Sequence, residues 1–99
     1  MVVRIWKGWT KAEDAEAYGD YIAGTGLAEL GETPGNKGVQ MWRRIEGDRA
    51  EFVVMSLWES RDAIHAFAGD DIEVAHYYPE DERYLLELDP RVTHYDVVG

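Results

Sequence analysis

Three side chains in this sequence carry an imidazole, His65, His76 and His94, and imidazole is the group that takes and gives protons near neutral pH. No two of them stand four residues apart, the spacing that brings two metal ligands to one helix face. His65 follows Ile64 in a stretch of helical periodicity, where it either projects toward a pocket or sits at its edge. His94 shares a strand face with Val92 and Asp96, which suits a hydrogen-bonded structural position. His76 falls in the least regular part of the chain.

The acidic clusters Glu13-Asp14-Glu16, Asp70-Asp71-Glu73 and Glu80-Asp81-Glu82 each fall at a helix start, where carboxylates are favoured for electrostatic reasons alone. There is no G-x-S-x-G elbow, phosphate-binding loop or dinucleotide fingerprint, and Gly35-Asn36-Lys37-Gly38 reads as a turn. What remains is aromatic. Trp6, Trp9, Trp42 and Trp58 lie in strand-like segments, with Tyr18, Tyr21, Phe67, Tyr77 and Tyr78 in helices and loops. Trp58 has two readings: plain core, or the wall of a flat apolar pocket in which the indole N–H holds a polar group.

The 99 residues include 10 basic and 20 acidic side chains, a formal charge of -10. That balance disfavours nucleic acid and anionic membranes, which draw their affinity from Lys and Arg. The absence of cysteine removes disulfides, thiolate nucleophiles and iron–sulfur ligation. A hydrophobic fraction of 45% excludes a disordered acidic tail. With no long apolar run and no signal-peptide pattern at the start, the expectation is a cytoplasmic protein of one domain spanning 1–99.

The elements that must position these residues follow from pattern. Residues 2–10 read as a strand, and Thr10-Lys11-Ala12-Glu13 has capping-box spacing for a helix whose stripe is Ala12, Ala15, Tyr18 or Gly19, and Ile22. That helix weakens at Gly24 or Gly26, although Leu27 and Leu30 prolong the stripe. Residues 38–46 and 50–58 form a hairpin about Gly47-Asp48. Ser60 caps a helix of two to three turns with Ala63, Ile64, Phe67 and Ala68 inward, ending at Gly69. A helical turn is expected from Val74 to Tyr78, a further short helix from Pro79 through Leu85 and Leu86, and a last strand over 91–98.

The order β-α-β-β-α-β is the split βαβ arrangement of ferredoxin-like α+β folds, an antiparallel sheet with both helices on one face. The strand at 50–58 is apolar on both faces, with Phe52, Val54 and Trp58 on one and Val53, Met55 and Leu57 on the other. A one-sided sheet would alternate with polar residues. The economical cover for the second face is a second copy of the chain, so patterning predicts a homodimer with two sheets packed face to face.

The segment VVMSLWESRDAIHAFAG, with the Pro34-Gly35 turn before the second strand and the Leu57-Trp58-Glu59-Ser60 junction, resembles the antibiotic biosynthesis monooxygenase family of dimeric α+β barrels. The resemblance implies a pocket between helices and sheet. It implies either cofactor-free oxidation of a small quinol- or anthrone-like aromatic by O₂, or binding and degradation of haem; a non-catalytic ligand-binding barrel is the third reading. Trp58 matches the family's Trp in quinone-forming members, while the positions of their Asn and Tyr hold Val54 and Ile64. For haem-degrading members, the Asn and Trp positions hold Lys7 and Phe67, and the histidine position holds His76 with a one-residue gap or Tyr77 without one. The roles so implied are Trp58 packing or hydrogen-bonding the ring, His65 or His76 as base, and Lys7 or Tyr77 stabilising an oxyanion, with no metal.

Overall fold

The computed structural model describes residues 1–99. Strand β1 (Val2–Lys11) is central in the sheet; β2 (Asn36–Glu46) and β3 (Arg49–Trp58) form the hairpin beside it. All pairings are antiparallel, with Arg4 opposite Ser56, Trp6 opposite Val54 and Gly8 opposite Phe52. On the far side of β1 the place of a single fourth strand is shared by β4 (Leu85–Leu88) and β5 (Thr93–Asp96), which pair with its two ends. The sheet order β2-β3-β1-β4 is that of the split βαβ fold.

Three readings of the carboxyl-terminal third need correction. The backbone from Val74 to Tyr78 is not helical; Val74 bridges Arg91, and Ala75 N–H donates to the Pro90 carbonyl at 3.0 Å. The helix α4 is only Asp81–Tyr84, and Leu85 and Leu86 belong to β4. The physical reason is the edge of β1, which leaves ladder groups that a strand satisfies and a helix cannot. Asp89-Pro90 leaves a gap between β4 and β5, and the expected strand over 91–98 shrinks to β5 because Arg91 and Val92 turn aside to Val74 and Glu73 and because β1 begins at Val2, opposite Asp96. The Tyr77 hydroxyl fills that gap, shared between the carbonyls of Asp89 at 2.6 Å and Lys7 at 3.0 Å.

Thr10 does not cap a helix. It is buried in β1, and the one-turn 3-10 segment Ala12–Asp14 is capped instead by the hairpin, through Ala12 N–H to the Asp48 carbonyl at 2.7 Å. Helix α1 (Ala15–Ile22) then runs without a break through a π-helical turn, Ala23–Leu27, into α2 (Ala28–Glu32), so the glycines widen the helix rather than end it. Helix α3 (Arg61–Ala68) starts as expected: the Ser60 side chain accepts from Ala63 N–H at 3.2 Å.

Both helical layers lie on one sheet face, and β3 alternates buried and half-buried residues along its whole length. Two apolar clusters result. One holds Ala15, Tyr18, Ile22, Ala50, Phe52 and Val54; the other is Trp58, Val2 and Ile64 beneath α3. On the opposite sheet face Val3, Ile5, Trp9, Val53, Met55 and Leu57 are half-buried, with no helix over them.

Candidate functional site

A cleft of about 60 Å³ opens where the two clusters meet. By volume it has room for about four waters. Its sheet wall is Arg4, Trp6, Val54 and Ser56, alternate residues of β1 and β3 that strand parity puts on the helix side. The roof is Tyr18 and Ile22 of α1 with Thr25 and Gly26 of the π-helical turn, and Phe67, His76, Tyr78 and Asp81 complete the lining. π-helical turns concentrate at functional sites, since the extra residue strains the helix locally.

Of the residues singled out in the sequence, Val54, Phe67 and His76 meet in this cleft. His76 is exposed at its mouth, makes no hydrogen bond, and meets the Tyr78 ring edge-on with centroids 5.5 Å apart. Lys7 is on the other side of the sheet: parity gives the helix face to Trp6 and the outer face to Lys7, which is exposed. His65 is on the solvent side of α3, its Nδ1 3.0 Å from the Gly69 carbonyl. Tyr77 backs the Trp6 ring at 5.3 Å from outside the cleft, and its ionisation is pushed up by burial and by Asp89. Ile64 is fully buried under Trp58.

Trp58 does not line the cleft, but it touches a group that does. It is fully buried, packs against Phe67 with centroids 5.5 Å apart, and donates its N–H to Ser56 Oγ at 2.9 Å. A hydroxyl that accepts in this way keeps its own hydrogen to donate. Ser56 therefore presents an oriented O–H to the cleft.

Two charged residues have a place the sequence reading does not give them: Asp81 is expected there only as one of the carboxylates at a helix start, and Arg4 is not singled out. Asp81 is buried and accepts the Tyr18 hydroxyl at 2.9 Å on one oxygen and Tyr78 N–H at 2.6 Å on the other. Burial, then the Asp81 charge, drive the Tyr18 ionisation far up, so this phenol stays a donor. Arg4 is also buried, on β1, in contact with Ile72 and His94. The available signal was parity: Arg4 shares a strand face with Val2 and Trp6, a poor place for a cation with nothing to do.

A five-stranded antiparallel sheet with four strand positions, helices on one face and a cleft between them defines a ferredoxin-like α+β protein with an aromatic-walled site. The family model for antibiotic biosynthesis monooxygenase matches residues 1–72, and the chain belongs to that family. Among solved structures it is similar to a candidate antibiotic biosynthesis monooxygenase from Bacillus cereus, with 17% identity over 99% of this chain and 93% of that one and a TM-score of 0.69. Similar in the same way is the haem degrader MhuD from Mycobacterium tuberculosis with two haems in its active site, at 22% identity, coverage of 100% and 97%, and a TM-score of 0.66. No functionally curated protein matches the chain. No helix is long and apolar enough to cross a membrane.

Proposed function

We propose that this chain is a cofactor-independent monooxygenase that oxidises a flat, electron-rich aromatic in the cleft. The observation that carries the reading is an imidazole free of hydrogen bonds, His76, at the mouth of a cleft walled by Trp6, Phe67 and Tyr18. Membership of the monooxygenase family supports it. The substrate is an anthrone- or quinol-like ring whose carbanion reduces O₂ by itself.

His76 takes a proton from the ring CH₂, and the charge spreads to the ring oxygen, where the Ser56 hydroxyl held by Trp58 donates to it. The carbanion gives its electrons to O₂, a C–O bond forms, and the resulting hydroperoxide loses water. In sum CH₂ and O₂ become C=O and H₂O, so no outside reductant is needed. Trp58 is a positioning residue that acts through Ser56. A ring larger than the cleft needs the π-helical turn to shift at Gly24 and Gly26, while Leu27 of the same turn stays packed on the cluster of Tyr18 and Ile22.

The working unit is a homodimer. The outer sheet face supports this, because Val3, Ile5, Met55 and Leu57 form an apolar patch there that Val53 and Trp9 extend on either side of Lys7, and Trp42 adds a ring 47% exposed. The test of the activity is oxygen uptake with anthrone. One O₂ is consumed per anthraquinone formed, and His76→Ala lowers the rate at least tenfold; an unchanged rate in that variant contradicts the assignment.

A second reading is favoured by the same histidine. The donor set suits haem in kind: His76 would hold the iron and Arg4 a propionate, and the bound group would supply oxygen activation at iron. A haemin absorbance shift that vanishes in His76→Ala is the result that would promote it.

A further inference from the structure

The seven arginines of this acidic chain are not alike. Arg44, Arg49, Arg61, Arg83 and Arg91 each reach a carboxylate at the surface. Arg43 and Arg4 reach none, and of these two Arg43 is exposed to water while Arg4 is only 4% exposed. Its Nη1 donates to the Ile72 carbonyl at 2.6 Å and lies 3.4 Å from His94 Nε2, and its Nη2 donates to the Val74 carbonyl at 3.4 Å. Guanidinium carries five N–H groups, so the Nε–H and one Nη2 hydrogen have no protein acceptor. These partners are neutral, for burial and the Arg4 charge hold His94 below its usual value. Burial also lowers Arg4 to about 10, which leaves it a full cation at neutral pH.

A buried cation without a counter-ion is costly, and folds retain one where a charge is to be met. Arg4 lines the cleft. The other charge there, Asp81, has both oxygens engaged by Tyr18 and Tyr78 and makes no ion pair with Arg4. The guanidinium carbon sits 5.8 Å from the centroid of the Phe67 ring, so a cation and an aromatic surface adjoin at one end of the site. A net charge of -10 repels anions at long range, and only a local cation can select for one.

We propose that Arg4 is the anion receptor of the cleft and that its ligand is a small aromatic acid, whose carboxylate or phenolate pairs with the guanidinium while the ring lies along Phe67 and Trp6. This rests on the reading of the cleft as the ligand site and names the substrate class for it. Arginine suits the task because its planar fork meets two oxygens at once.

The test is calorimetric titration of the unsubstituted 99-residue chain with 2-naphthoate and with its neutral isostere 2-naphthamide. The expected result is at least tenfold tighter binding of the acid, a preference abolished by Arg4→Gln and partly kept by Arg4→Lys, with amide binding unchanged. Should Arg4→Gln fail to fold, the acid-to-amide ratio of the wild type decides alone. Equal affinities overturn the assignment of Arg4 and leave the cleft standing as a ligand site, whereas binding of neither overturns both. Haemin and its dimethyl ester form the companion pair: a preference for the free acid in that pair only places the anion on a tetrapyrrole and overturns the small-acid assignment.

Discussion

Ser56 and Trp58 act as one unit, because the indole N–H orients the hydroxyl that faces the cleft. Replacing Trp58 by Phe and Ser56 by Ala each lowers kcat about tenfold with little change in KM, and the double variant loses no more than either single one. Steady-state kinetics on the four proteins of this cycle read the coupling directly. His94 gives a second prediction. Its pKa lies below the ordinary histidine value near 6.5, first from burial and then from Arg4 and Arg61. The unfolded chain thus binds a proton that the folded chain resists, so stability present above pH 6.5 is lost as the pH falls toward the folded value. Urea denaturation at pH 7.5 and 5.5 will show a smaller loss for His94→Gln than for the wild type. Among the site residues, Val54, Phe67 and His76 were within reach of the sequence through a family resemblance. Arg4 and Ser56 were not, because a polar residue on a strand gives no hint of its depth until the parity of its neighbours is counted. The same parity separates Trp6 from Lys7, adjacent in sequence and on opposite faces of the sheet.

At the scale of elements, the signals that survived are local and chemical. Gly47 adopts φ +61° in the β2–β3 turn, and Ser60 caps α3 through its own hydroxyl; both needed only nearby residues. The signals that failed were overridden from a distance. Thr10 lost its capping role to the Asp48 carbonyl across the hairpin, and Leu85–Leu88 left the helical pattern for the open edge of β1. Gly35 shows how tightly the junction between α2, β2 and α3 is packed. Its φ is +86°, its carbonyl accepts Glu59 N–H at 2.9 Å, and a Cβ there would stand 2.5 Å from the Cβ of Ala63. Gly35→Ala combines left-handed strain with a clash, and its expected cost is about 1–3 kcal/mol. For a domain this size that lowers Tm by at least about 4 °C in a thermal melt; an unchanged Tm would show that the α3 start can shift freely.

For the whole molecule, the two sheet faces have different fates. One is covered by α1, α2 and α3; the other offers valines, isoleucine, methionine, leucine and tryptophan at half burial. A homodimer through that face gives a sedimentation mass twice the 11.3 kDa of the chain. Met55→Lys puts a charge opposite Ile5 and between Val53 and Leu57, and should shift the protein to monomer at micromolar concentration while leaving the helix-side cluster of Phe52 and Val54 in place. In the proposed function the two faces divide the labour, association on one and chemistry on the other. The claim on which the functional account depends is that the cleft between the π-helical turn and the sheet receives an aromatic ligand. Its most direct test is an amide chemical-shift map of the ¹⁵N-labelled protein during titration with 2-naphthoate. The account predicts the largest changes at Arg4, Thr25, Gly26, Ser56 and His76. Changes confined to Val53, Met55 and Leu57 on the outer face, or none at all, would contradict it.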